Sequence, residues 1–119
     1  MPRFVILEHD HPRLHWDLML EAGEVLRTWR LSAPLSPEGG AVEAAPSFDH
    51  RRMYLDYEGP VSGDRGSVVR QEHGTFTWLC DTAEEIVLRL EGAELRGTLV
   101  LTAVGGKPGQ AVFTPAPEQ

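Results

Sequence analysis

In the stretch EHDHPRLHWDLMLE, residues 8–21, histidines and acids are set among regularly spaced apolar residues. On a β-strand, residues two apart face the same side, roughly 6.5–7 Å apart. His15 and Asp17 therefore present an imidazole and a carboxylate side by side, close enough to share one ion at bond lengths of about 2 Å. His9 stands at the end of the preceding apolar run, and the short connection Asp10–Pro12 folds it back beside the second run. Two histidines and one carboxylate leave coordination positions open for water or substrate, as a catalytic metal centre requires. The competing reading is a solvated polar face: Leu14, Trp16, Leu18 and Leu20 point one way, and Arg13, His15, Asp17, Met19 and Glu21 point the other. From spacing alone, both stand.

A second cluster is FDHRRMYLDYEG, residues 48–59. A histidine such as His50 at a loop-to-strand junction can bind phosphate or move a proton, and Tyr54 can reach the same oxygens. Spacing alone favours a core tyrosine and solvated arginines at 51 and 52. The single Cys80 reads as a small buried hydrophobe and rules out both a disulfide framework and a polythiolate zinc site. Any metal must then use His and carboxylate ligands, which suits Mn²⁺, Fe²⁺ or Zn²⁺. His73, before Gly74, reads as a turn residue. Trp16, Trp29 and Trp78 read as wall or core residues, and His11 as exposed. Asp10 is a candidate partner for a metal-bound histidine.

The elements that position these residues are short. Twelve glycines and nine prolines cut the 119 residues into pieces with strand character. The runs are Arg3–His9, Arg13–Glu21, Val25–Leu31, Ala41–Ala45, Met53–Glu58, Ser67–Gln71, Thr75–Cys80, Ile86–Glu91, Leu95–Val104 and Ala111–Thr114. Glu21–Glu24 and Glu91–Glu94 read as hairpin turns. No run has the length and period of an amphipathic helix; residues 81–85 allow one helical turn. The pattern predicts an all-β fold, a compact antiparallel open β-barrel with short helical turns. It forms one domain over residues 1–114, with a disordered tail at 115–119.

No apolar run is long enough to span a bilayer, and the opening MPRFVILEHD meets acids too soon for a signal peptide, so a cytoplasmic protein is expected. The formal charge of −7 argues against non-specific nucleic-acid binding, although a local basic patch outweighs the total.

RFVILEHDHPRLHWDLMLE and EVLRTWRL together resemble the opening of the 3′-phosphoesterase domain of bacterial DNA ligase D, whose pattern is H-x5-H-x-D in an apolar frame followed by a V-L-K-S-W strand. DHRRMYLDYEG, GSVVRQEHGTF and LRLEGAELRGTLVLTAV are similar to later segments of that family, in the same order, so the resemblance runs from about residue 3 to 104. It implies a β-barrel that binds a divalent ion, typically Mn²⁺, and trims DNA 3′ ends, removing a terminal ribonucleoside and then a 3′-phosphate. Carried over, His9, His15 and Asp17 are the metal ligands, and His50 and Tyr54 contact the scissile phosphate. DNA ends, including a primer-template with a 3′ ribonucleotide, and ligase or polymerase repair proteins are the implied partners.

The chain departs from that pattern where the family carries cations. Met19 replaces the arginine two residues after the metal-binding aspartate, Ala33 the lysine after the tryptophan, and residues 41–44 offer no arginine upstream of the second histidine. Charge-assisted phosphate contacts are worth a few kcal/mol each. Arg13, on the His15 face of a regular strand, is the first candidate to compensate, ahead of Arg30, Arg51 and Arg52. A metal-binding relative with altered catalysis, acting as a repair-complex module or on another phosphate ester, is the alternative.

Overall fold

Every apolar run named above becomes extended chain except Met53–Glu58. The computed structural model describes residues 1–117. Its strands are β1 (Arg3–His9), β2 (His15–Ala22), β3 (Val25–Leu31), β4 (Gly40–Arg51), β5 (Gly59–Pro60), β6 (Ser67–Asp81), β7 (Ile86–Gly92), β8 (Arg96–Leu101) and β9 (Gly109–Pro115), with a 3₁₀ turn at Arg52–Leu55. All pairings are antiparallel, in the order β1-β2-β3-β4-β9-β8-β7-β6-β5. Strand β1 also pairs with β6, so the sheet closes on itself as a ring. Closure leaves few unpaired strand edges.

The two periodic faces of β1 and β2 serve two apolar clusters. Phe4, Ile6, Leu18 and Leu20 point into the ring, where they meet Trp29, Phe76, Leu88, Leu99 and Phe113 from the other strands. The Trp29 indole N–H donates to the Ala103 carbonyl (2.6 Å), which satisfies the buried indole. The opposite face is not wet. Val5, Leu7, Met19 and Leu26 form a second cluster with Leu55 and Val68, covered by Tyr54, Tyr57 and Val61. Met19 is 1% exposed. The expected solvated face is buried because the chain after β4 folds back across it, which alternation within β2 cannot reveal. Leu14, expected on the apolar side, precedes β2 and is exposed.

That covering segment explains the missing strand. Met53–Glu58 alternates, yet Met53 is exposed and Leu55 buried in a tight turn closed by the Asp56 N–H on the Met53 carbonyl. Arg3 and Asp56 form a two-point ion pair (2.6 and 3.3 Å), and Arg52 pairs with Glu21, so the turn is tied to β1 and β2. The Arg3 guanidinium holds the Asp56 carboxyl below its usual range, and the Arg3 backbone N–H and then Arg52 do the same for Glu21.

Two strands are longer than the sequence suggests. Ser67–Gln71 and Thr75–Cys80 are one strand, β6, because Gly74 is a point of close approach and not a break. A Cβ there would lie 2.3 Å from the Glu91 carbonyl oxygen of β7. Strand β4 passes through Pro46, since its pairing with β9 ends at Ala44 and the proline faces no second neighbour. At the other end, β9 reaches Pro115, and the Ala116 N–H donates to the Arg96 carbonyl (2.8 Å). The tail expected from residue 115 is therefore paired at its start; residues 118 and 119 lie outside the described residues.

Glu72 is 6% exposed and accepts backbone N–H groups from His73, Ala93, Glu94 and Leu95 at 2.6–3.1 Å. One carboxylate thus satisfies the turn between β7 and β8. Glu72→Ala strands the Glu94 and Leu95 donors, while the Ala93 N–H keeps the His73 carbonyl, and it is expected to cost about 2–4 kcal/mol in urea unfolding. Glu72→Gln, which keeps one acceptor, is expected to cost less. A loss below about 0.5 kcal/mol for the alanine variant would show that water replaces the carboxylate.

Candidate metal centre and phosphate cleft

His9 and His15 are direct cross-strand partners on β1 and β2, and Asp17 follows two residues on, opposite Leu7. The imidazole rings meet edge to face with centroids 4.9 Å apart. His15 Nε2 lies 3.2 Å and His9 Nδ1 3.6 Å from Asp17 Oδ2. One ligand atom from each residue falls within 4.8 Å of the others. His15 and Asp17 are buried and His9 is half-buried.

Backbone carbonyls assign the protons. His9 Nε2–H donates to the Arg65 carbonyl (2.8 Å), and His15 Nδ1–H to the Arg13 carbonyl (2.8 Å). The remaining ring nitrogens both face the Asp17 carboxylate. Two imidazole nitrogens and a carboxylate oxygen converging on one point suit a cation held between them. Asp17 Oδ1 is buried without a hydrogen-bond partner, a cost of about 1–3 kcal/mol if nothing fills it. These features fit a divalent ion held by two nitrogens and a carboxylate, with each imidazole oriented from behind. Asp10 has a different task from the one expected: its Oδ1 accepts the Ser67 N–H (2.8 Å) and anchors the start of β6. Carbonyls orient the histidines instead.

Beside this group lies a cleft of about 310 Å³, lined by His9, Asp17 and Met19 together with His50, Tyr54, Phe48 and Arg30. The Thr28 hydroxyl donates to the Leu26 carbonyl (3.0 Å), so at 2.9 Å it accepts from His50 Nδ1–H, leaving Nε2 as the ring's free atom. Phe48 stacks on His50 (4.4 Å, 21°) and Tyr54 meets its edge (5.7 Å). Burial pushes the His50 pKa below its ordinary 6.5, against the opposing pull of Asp17, which favours the neutral ring. The five residues read from the sequence as ligands and phosphate contacts are thus brought together around one corner of the sheet.

Arg13 is not among the residues lining the cleft. It lines an adjoining groove of about 770 Å³ on the other side of His15, because β2 begins only at His15 and strand periodicity does not reach residue 13. Its contribution to the centre is the carbonyl behind His15. Arg30 takes the position that Arg13 was expected to hold. It pairs across the β2–β3 hairpin with Asp17, lines both hollows, and makes no ion pair among the described residues. Counting back from the Glu21–Glu24 turn would have revealed that register. Arg51 and Arg65 also line the cleft, the latter with its guanidinium held by Ser62. Arg52 is occupied by Glu21. His11, expected to be exposed, is half-buried on the cleft wall. Trp29 is buried and Trp16 and Trp78 half-buried against the core, as read.

Comparison with known proteins agrees with this arrangement. Residues 7–103 match the model of the DNA ligase D 3′-phosphoesterase domain. The multifunctional non-homologous end joining protein LigD of Pseudomonas aeruginosa is 29% identical over 91% of this chain. The multifunctional non-homologous end joining DNA repair protein LigD of Mycobacterium tuberculosis is 31% identical over 87% of it. The chain spans only 14–15% of the length of these relatives. With the match covering most of its ring and the whole of the cleft's histidine and aspartate set, the chain belongs to the DNA ligase D 3′-phosphoesterase domain family.

Proposed function

We propose that this chain is a Mn²⁺-dependent phosphoesterase that processes DNA 3′ ends in end-joining repair, removing a 3′-terminal ribonucleoside and a 3′-phosphate, and that it works in the cytoplasm beside ligase and polymerase partners. The observation that carries the reading is the convergence of His9, His15 and Asp17, with a partnerless carboxylate oxygen, beside a cleft whose wall holds His9, Asp17, His50 and Tyr54. His9 Nδ1, His15 Nε2 and Asp17 would hold the ion. When bound, it supplies polarisation of a phosphoryl group and activation of water at neutral pH. His50 is oriented through Thr28, and its free Nε2 accepts a proton at pH 7 or, once protonated, donates one to a leaving oxygen. The Tyr54 hydroxyl donates to a phosphoryl oxygen. Arg30, directly across from Asp17, supplies the positive charge that the buried Met19 does not.

The buried Met19 and the position of Ala33 outside the cleft-lining residues favour the second reading, a metal-binding relative with altered catalysis. The two readings separate on a primer carrying a 3′ ribonucleotide or 3′-phosphate. With Mn²⁺, trimming and phosphate release are expected. His15→Ala is expected to lose the bound metal and reduce the rate on the order of a thousandfold. Metal retention with no processing across several divalent ions would leave only the second reading. Arg30→Ala is expected to lower kcat/KM about 10- to 100-fold with metal content unchanged, the range for a charge-assisted phosphate contact. Arg30→Lys should restore part of it, and Arg89→Ala, on a distant strand, should have no effect. An unchanged kcat/KM in Arg30→Ala would remove that residue from the site.

A further inference from the structure

We infer that Phe48 is a stacking platform for the nucleobase at the end of the substrate strand, so that the cleft selects 3′ ends bearing a nucleoside over other phosphate esters. This rests on the phosphoesterase reading above and names its substrate class. Phe48 is 68% exposed, and among the described residues it is the one aromatic side chain in the set of exposed large hydrophobics. Its place comes from an irregularity in the sheet. Between the pairs Thr28↔Ser47 and Leu26↔His50 the register shifts, so β4 runs two residues, Phe48 and Asp49, against the single Arg27 of β3. Bulges of this kind re-aim side chains and are common beside active sites.

One face of the Phe48 ring rests on His50 at 4.4 Å, and that packing fixes the ring's orientation while the side chain as a whole stays largely in water. An aromatic surface held flat and left open at a cleft mouth suits a second planar group. The cleft also fixes which way such a ligand lies. Asp49 stands next to Phe48 on the cleft wall and repels phosphate, whereas Arg30 lies across from Asp17 at the metal-ligand side. The phosphate therefore goes toward Arg30 and the histidines, and the base toward Phe48. A nucleoside 3′-phosphate or a terminal nucleotide has that shape; a small polyol phosphate does not. The exposed position makes Phe48 replaceable without disturbing either core.

The test compares a primer ending in a normal nucleoside 3′-phosphate with the same primer ending in an abasic 3′-phosphate, both with Mn²⁺. Phe48→Ala is expected to raise KM or lower kcat/KM about tenfold on the base-bearing end and to leave the abasic end unchanged, while Phe48→Trp keeps wild-type selectivity. Equal losses on both ends would mean that Phe48 merely props His50, and would overturn the assignment. So would no loss on either. A binding readout separates this inference from the activity itself. In EDTA, and again with Mn²⁺, a primer with a terminal 2-aminopurine should lose fluorescence on binding the wild type but not on binding Phe48→Ala. Quenching without turnover would retain the platform and reject the phosphoesterase reading; turnover with no Phe48-dependent quenching would do the reverse.

Discussion

Strand β1 is hydrogen-bonded along both edges, to β2 on one side and β6 on the other. That double pairing closes the ring, and it also sets the register in which His9 faces His15. Slipping β1 by one residue would turn Phe4 and Ile6 out of the main core and carry His9 to the other face. The apolar residues that fill the ring thus enforce the alignment of the polar ones at its end. The centre needs no dedicated scaffold, because the register chosen by Phe4, Ile6, Leu18 and Leu20 already places two imidazoles and a carboxylate together.

The same strands must bury both faces, and the second face is closed by the chain between β4 and β6. Its anchors reach distant parts of the chain: ion pairs from Arg3 to Asp56 and Arg52 to Glu21, and the Ser67 N–H on the Asp10 carboxylate. Met19, packed under this cover, puts an apolar side chain on the cleft wall where a cation two residues beyond Asp17 would project. Arg30, on the neighbouring strand, is close to the same carboxylate without entering the apolar cluster. The cation beside Asp17 thus stands across the hairpin and not along β2, and Met19 packs with Val5 and Leu26 in the second cluster.

Strand periodicity and the family frame made the convergence of His9, His15 and Asp17 beside His50 and Tyr54 legible, since each position depends on spacing within one segment. The all-β architecture was legible for the same reason. What lay beyond reach depended on contacts between distant segments. The fold-back over Met19, the role of Gly74 as a point of contact with β7, and the 3₁₀ turn in place of a strand all require a partner that no local pattern names. Arg13 lies outside the cleft because the strand starts two residues later than its alternation suggests, and Arg30 reaches the cleft through a hairpin register that spacing within β2 does not show. Glu72 gave no signal at all: a lone acid in a strand reads as surface until the turn it serves is folded against it.

The bond from His9 to the Arg65 carbonyl has a wider meaning than the orientation of one ring. Arg65 belongs to the segment that roofs the second cluster, so a residue of the candidate centre is also the latch of its cover. By linkage, whatever tightens His9 on an ion must steady that roof, and whatever lifts the roof must weaken the ion's hold by the same free energy. Under the proposed function, access to the cleft and retention of a metal would then be two readings of a single equilibrium.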